Sequence, residues 1–218
     1  MIELKKLSTG YSKDKVILSN FSHTFQDNAI YAIMGKSGCG KTTLLKTISG
    51  LLKPISGSVF VDGKEVKDTG RKIYMMNQRY TSFDWLTCLD NILIIDKVDG
   101  VKSNKERIAH ALSLLDSVGL AGYENTYPSR LSGGQKQRLA LARAMFAESQ
   151  YILMDEPLSA LDEITRRSLQ TQLCDFQKEH KNTLIMVTHS EEEAYRMTSN
   201  ILRLKQKFEK LLDIPNPG

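Results

Sequence analysis

Cysteine is scarce: the 218 residues contain three, Cys39, Cys88 and Cys174, and no CxxC pair. An odd number without paired spacing suggests neither a disulfide framework nor a structural zinc site, which fits a reducing cytosol. Long apolar runs are also missing. The best of them, Ile92–Ile95 and Leu184–Val187, are strand-length, far short of the ~20 apolar residues that a membrane helix needs. The opening Met1-Ile2-Glu3-Leu4-Lys5-Lys6 has no apolar h-region, so the chain is expected neither to be secreted nor to span a membrane by its own means. No repeat and no low-complexity tract is found. The excess of one charge sign is small, 30 Lys and Arg against 25 Asp and Glu. Basic residues interleave with acids, as in Lys105-Glu106-Arg107 and Lys178-Glu179-His180. That pattern reads as a solvated mixed surface, and no nucleic-acid partner is expected. What remains is ordinary for a folded chain, 41% hydrophobic and 25% charged, enough for one generous domain or a core with a small subdomain.

The first sixty residues read as strands and turns. Ile2 and Leu4 alternate with polar neighbours, and Phe60-Val61-Asp62-Gly63 is a short strand entering a turn. Ala29–Met34 is a continuous apolar run of buried-strand length; a Gly-rich loop comes next, and Thr43–Ile48 has helical character. Strand, glycine loop and helix in that order mark a phosphate site in a parallel sheet. Lys72–Asn77 is a further strand, after which the pattern turns helical. Ile108, Leu112 and Leu115 fall at i, i+4 and i+7, with Ala111 and Val118 nearby, which predicts an amphipathic helix from Ser103 or Asn104. Strands resume at Tyr151–Met154 and again at Thr183–Thr188. The fold class is α/β: a core of residues 1–80 and 134–218 interrupted by a helical insertion over 81–133.

Gly35-Lys36-Ser37-Gly38-Cys39-Gly40-Lys41-Thr42 satisfies G-x-x-x-x-G-K-[ST]. Its glycines let successive backbone N–H groups turn toward an anion, and the adjoining helix adds the positive end of its dipole. Lys41 suits the β- and γ-phosphates of a nucleotide, and the Thr42 hydroxyl suits Mg²⁺. Tyr151–Met154 runs into Asp155-Glu156, which places two carboxylates at the carboxyl edge of the sheet, where open α/β folds bind ligands. One acid can hold Mg²⁺ while its neighbour faces the reacting phosphate as a base. Leu131-Ser132-Gly133-Gly134-Gln135 precedes a helical stretch, Lys136–Glu148. Two readings are open for it: a helix start capped by Ser132, or a second anion-binding helix N-terminus. From average composition, chance occurrence of that pentapeptide is on the order of 10⁻⁴.

The phosphate loop, Leu131–Gln135, Asp155-Glu156, Ser159-Ala160-Leu161-Asp162 and His189 stand in the order found in ATP-binding cassette ATPases, and the chain resembles that family from Ile2 to about Leu204. The resemblance implies a P-loop, RecA-like core with an antiparallel β-subdomain and an inserted α-helical subdomain. It also implies that ATP is held between the P-loop of one subunit and the LSGGQ segment of a second copy. On that resemblance Gly35, Ser37, Gly38, Cys39, Gly40, Lys41, Thr42 and Thr43 cradle phosphates and Mg²⁺, while Ser132, Gly133, Gly134 and Gln135 meet the γ-phosphate in trans. Gln78 resembles the glutamine that senses Mg²⁺ or the attacking water, Asp155 supports the metal, and Glu156 polarises water. Asp162 lies in the loop crossing the dimer, and His189 resembles the switch histidine that contacts the γ-phosphate. Tyr11 resembles the aromatic that stacks on adenine; a core or surface tyrosine is the other reading. His23, His110 and His180 match no motif.

Two positions depart from or decorate the pattern. Ser190 comes after the histidine where the family commonly has Asp, which predicts looser local hydrogen bonding. Cys39, at a helix N-terminus, predicts a reactive thiol that ATP protects. The stretch from Thr81 to Ile92, with its W-L-T-x-L-x-N-I pattern, and the end near Pro215 are similar to cassettes of the nitrate, sulfonate and taurine importer group. Phe83, Trp85 and Leu86 either form an apolar socket for a helix of a membrane partner or pack the helical subdomain. The expected role is therefore an importer ATPase at the cytoplasmic face of the membrane. Separate permease subunits and an extracytoplasmic substrate-binding protein complete the expected system. An exporter or lipid-release ATPase, or a cassette acting on DNA or ribosomes, are the alternatives.

Overall fold

The computed structural model describes residues 1–12, 15–66, 72–78 and 82–205. The expected boundary at 80/81, Thr81 and the segment near Pro215 lie outside them.

Three strands carry the fold: β3 (Ile30–Met34), β7 (Tyr151–Asp155) and β8 (Thr183–Val187), each buried at all five positions. Continuous burial is what a parallel strand covered on both faces requires. They lie in a five-stranded sheet with β6 (Ile73–Met76) and β9 (Ile201–Arg203), in the order β6-β7-β8-β3-β9, and every observed pairing is parallel. A second sheet, antiparallel, joins β1 (Ile2–Ser12), β2 (Lys15–Phe25), β4 (Ser56–Val61) and β5 (Lys64–Glu65) in the order β2-β1-β4-β5.

The period of two along the parallel strands sorts the core into two bodies. Ala32, Met34, Ile152, Met154, Leu184 and Met186 face one side and pack with helices α2 (Cys88–Val98), α3 (Lys105–Ser117), α4 (Gly133–Phe146) and α5 (Glu163–His180). Tyr31, Ile33, Tyr151, Leu153, Ile185 and Val187 face the other and pack with α1 (Lys41–Ile48) and the antiparallel sheet. Each buried Ile, Leu, Val or Met among them contributes about 1.5–3 kcal/mol by leaving water. Helices α2 and α3 are inserted between β6 and β7 and pack on α4. Helix α6 (Glu191–Met197) comes after β8.

Two local expectations need correction. Helix α3 begins after Asn104, whose side chain accepts from Arg107 N, but Ile108 and Leu112 are exposed. The buried stripe is instead Ala111, Leu114, Leu115 and Val118. Small Ala111 permits close approach to the neighbouring helices, and that packing, rather than the largest side chains, sets the rotation of the helix. Helix α4 starts at Gly133, three residues before the expected Lys136. Ser132 Oγ accepts from Gln135 N at 3.2 Å, and Gln135 Oε1 accepts from Ser132 N at 2.8 Å. This capping box holds two glycines in the first turn, where their poor propensity would otherwise end the helix. The S-x-x-Q spacing carried that signal.

Candidate active site

Residues from the predicted site collect at the carboxyl ends of four parallel strands. The glycine loop Gly35–Gly40 leaves β3, Gln78 lies beyond β6, Glu156 beyond β7 and His189 beyond β8. Gly40, at φ 104°, caps α1 without a side chain, and a Cβ there would lie 2.5 Å from Ile17 Cγ2. The first turn of α1 contains no acid, so its N-terminal amides meet no carboxylate of that turn. Lys41 is buried and bends back over the loop, its Nζ donating to Gly35 O at 2.7 Å and Lys36 O at 3.2 Å. Thr42 is partly exposed, whereas Thr43 is 3% exposed, with its carbonyl accepting from Thr47 Oγ1.

Cys39 requires a correction. It is 3% exposed and belongs to the apolar core beneath the loop; its backbone N–H donates to Lys36 O. A reactive cysteine needs access as well as a helix dipole, so the buried thiol does not meet the expectation of reactivity, and the Cys39 N–H would reach an anion only by giving up Lys36 O.

Glu156 is the centre of the arrangement. Gln78 Nε2 donates to Glu156 Oε2 at 2.9 Å, and His189 Nδ1 stands 3.6 Å from Glu156 Oε1. The carboxylate is 21% exposed and the imidazole 66%, so both reach solvent at the sheet edge. Glu156 itself is left-handed, with φ 51°, its N–H bound to Val187 O. Such a backbone is costly for a residue with a Cβ and persists only where its surroundings fix it. Asp155 is 2% exposed. Burial pushes its carboxyl above the usual carboxylate range; the nearby Thr42 hydroxyl opposes the shift, and the Glu156 charge adds to it.

Other predicted residues lie outside this cluster. Tyr11 is 62% exposed near the end of β1, a strand tied to α1 by the 2.6 Å contact of the Thr9 and Thr47 hydroxyls. Ser132 and Gly133 are exposed at the start of α4. Gly134 is close to the loop after β7: a Cβ there would lie 3.2 Å from Ala160 O. Asp162 caps α5, accepting from Thr165 N and Thr165 Oγ1, bonds that hold its carboxyl below the usual range.

The ABC transporter family profile matches residues 18–159. The chain is 40% identical over 197 residues to the uncharacterized ABC transporter ATP-binding protein MJ0412 of Methanocaldococcus jannaschii, covering 90% of this chain and 73% of that one. The chain belongs to the ABC transporter ATP-binding family. It is an ATPase of that family, and the family binds ATP. A taurine import ATP-binding protein, TauB of Pelagibacter ubique, is 41% identical over 180 residues, 81% of this chain and 66% of the relative. Among solved structures, a dimeric post-hydrolysis state of the ATP-binding cassette MJ0796 bound to ADP and Pi superposes with a TM-score of 0.85. Its sequence identity is 33%, and 94% of each chain is covered.

Mg²⁺ fits the cassette's donor set. Among the described residues no cluster of three or more His, Cys, Asp or Glu could hold a metal by itself. Thr42 and Asp155 offer oxygens side by side, and Mg²⁺ characteristically takes one or two protein oxygens with the rest from phosphates and water. Asp155→Asn separates the two functions of this carboxyl. The buried charge costs nothing below the unfolded-state pKa, and its destabilisation grows as pH rises through the higher folded-state value. Asn keeps an acceptor for the Thr42 hydroxyl but carries no charge. The nucleotide-free variant is expected to melt a few degrees above wild type at pH 7, the gap closing toward pH 4, and to lose Mg²⁺-dependent stabilisation by ATP. Equal melting temperatures at every pH would refute the buried-charge account.

Thr188, Glu193, Arg166 and Gln137 support the site without being among its expected residues. Thr188 Oγ1 donates to buried Glu193 Oε2 and accepts from Ser190 N at 3.0 Å, while Ser190 Oγ accepts from Glu193 N at 3.2 Å. The turn that presents His189 is therefore tightly bonded, and the predicted loosening by Ser190 is not found. Burial pushes the Glu193 carboxyl up. Arg166 donates to Leu158 O at 3.4 Å and Leu161 O at 2.6 Å, and Gln137 binds the same loop from α4. Polar residues inside helical patterns read as solvent-facing; only the need of neighbouring loop backbone for hydrogen-bond partners marks these as different.

Proposed function

We propose that this cassette is the ATP-hydrolysing subunit of a membrane importer of a small solute, with anions among the candidates, and that two copies clamp ATP between them. The observation that carries the reading is the convergence of Gln78, Glu156 and His189 beside the phosphate loop, while Ser132 and Gly133 stand exposed on another part of the chain. A site with its base in place and its second anion-binding helix end turned outward is completed by a neighbour. The dimer reported for MJ0796 with ADP and Pi supports that reading.

In it, Gly35–Gly40 and Thr43 wrap the phosphates, Lys41 leaves the Gly35 and Lys36 carbonyls for the β- and γ-phosphates, and Thr42 and Asp155 hold Mg²⁺, with Gln78 beside it. Bound there, Mg²⁺ would neutralise charge developing on the phosphates. Glu156 orients and deprotonates the attacking water, and His189 faces the γ-phosphate. Tyr11 stacks on the base, and Ser132–Gln135 close the partner's site. Residues 1–80 and 134–218 act as the nucleotide-binding core and 81–133 as the helical subdomain.

Trp85, 74% exposed with its ring centroid 5.4 Å from that of Phe83, supports the permease-socket reading over internal packing. The cassette would thus lie peripherally at the cytoplasmic face of a membrane, bound to permease subunits, with an extracytoplasmic binding protein delivering the solute. Similarity to the taurine import protein TauB supports import. The test is tagged cassette recovered from solubilised membranes of its own host. Wild type is expected to bring down an integral permease. Truncating a buried interface Trp typically costs about 2 kcal/mol or more, so Trp85→Ser should weaken that association by about thirtyfold or more while ATP binding persists. Recovery of ribosomes or DNA in place of a permease would refute the transport reading.

A further inference from the structure

Gln137 is 0% exposed, one turn into α4 from the LSGGQ segment and outside the motifs that carry the family resemblance. Its side-chain amide uses both ends on one loop: Nε2 donates to Glu156 O at 3.1 Å, and Oε1 accepts from Ala160 N at 2.9 Å. The two partners fix the orientation of the amide, since a carbonyl can only accept and an N–H can only donate. Two further features bind the same elements together. The close approach of Gly134 to Ala160 O packs the start of α4 on that loop, and Arg166 holds the loop's Leu158 and Leu161 carbonyls.

We propose that Gln137 is a positioning residue that joins the start of α4 and the Glu156 peptide into one rigid unit, so that a nucleotide docking on Ser132–Gly134 aligns the Glu156 carboxylate of that same subunit. This deepens the proposed function and rests on its clamp. The physical link is short. Glu156 sits at φ 51°, where the direction of its side chain depends on how its own peptide is held, and Gln137 holds that peptide's carbonyl from the helix that ends at the partner's ATP. One subunit's signature helix would thereby report occupancy of the neighbour's site to its own base, a coupling between two nucleotide sites carried by a named hydrogen-bonded chain.

Two variants test it in the full-length protein. Gln137→Met keeps the volume and removes both polar ends. Gln137→Glu keeps the shape and the acceptor; buried, the introduced carboxyl favours its protonated form, whose O–H can again donate to Glu156 O. The expected result for Gln137→Met is a kcat at least tenfold lower, fluorescent-ATP affinity within twofold of wild type, and a Hill coefficient for ATP reduced to about 1. For Gln137→Glu, kcat relative to wild type should rise at least threefold from pH 8 to pH 6. Wild-type turnover and cooperativity in Gln137→Met overturn the proposal. Should that variant fail to melt cooperatively, the pH ratio of Gln137→Glu decides, and a flat ratio overturns it. Failure of the clamp itself is seen separately, as a Glu156→Gln protein that stays monomeric with MgATP, whatever Gln137 does.

Discussion

Glu156→Gln protein is expected to bind ATP about as well as wild type, to pair on binding it, and to release phosphate about 10²–10⁴-fold more slowly, the usual contribution of a positioned general base. The substitution is close to silent structurally. The amide oxygen can still accept from Gln78 Nε2, and the backbone anchors to Val187 O, Gln137 and Ser159 Oγ do not involve the side chain. What disappears is basicity and one negative charge next to buried Asp155, and losing that charge favours a polyphosphate in the site.

Light scattering after size exclusion reads the outcome. Monomer without nucleotide and lasting dimer with MgATP are expected from the variant, against a transient dimer from wild type, which cleaves its own glue. Phosphate release near the wild-type rate would remove Glu156 from the role of base. A variant that stays monomeric at saturating MgATP would remove the clamp.

Much of this site was legible because it is built from local rules. A continuous apolar run such as Ile30–Met34 or Tyr151–Met154 is a doubly covered strand, and the residues next in the chain must stand at the carboxyl edge of the sheet. That reasoning alone places the glycine loop, Glu156 and His189 at one edge. Their separation was not legible: 3.6 Å between His189 Nδ1 and Glu156 Oε1 depends on β7 and β8 being adjacent, a fact of sheet order rather than of either segment.

Side-chain direction inside loops was illegible for the same reason. Cys39 reads as a helix-start thiol facing an anion, yet the turn of the loop sends it into the core. Ile108 and Leu112 read as buried because they are large and correctly spaced, but the contacts of α3 favour the Ala111 side. Nothing local marks the roles of Gln137 and Arg166; they answer to backbone groups on a loop 5 to 23 residues away, groups that exist as unsatisfied partners only once the loop is folded against them.

Lys41→Ala is expected to remove nucleotide binding rather than chemistry. In the structure the ammonium group is held by the Gly35 and Lys36 carbonyls at 2.7 and 3.2 Å. It is the charged end of a buried side chain at the start of α1, beside that helix's N-terminal backbone N–H groups. A charge-assisted hydrogen bond contributes about 1.5–3 kcal/mol; because the ammonium gives up its two carbonyl bonds to reach the phosphates, a net loss of about one such bond should weaken ATP roughly ten- to a hundredfold.

Thermal melting separates this from damage to the fold. At a concentration of 100 times Kd, a ligand stabilises by about 2.7 kcal/mol, which for a chain of this size raises the midpoint by about 5–10 °C. Wild type should show that shift with MgATP. Lys41→Ala, compared at the same ATP concentration, should show a shift cut by half or more around a nearly unchanged nucleotide-free midpoint. The contrast with Glu156→Gln is the informative part, because the two substitutions lie at one sheet edge yet should divide binding from hydrolysis cleanly. A full wild-type shift in Lys41→Ala would mean that the backbone amides and the dipole of α1 hold the triphosphate alone, and Lys41 would lose its assigned place on the phosphates.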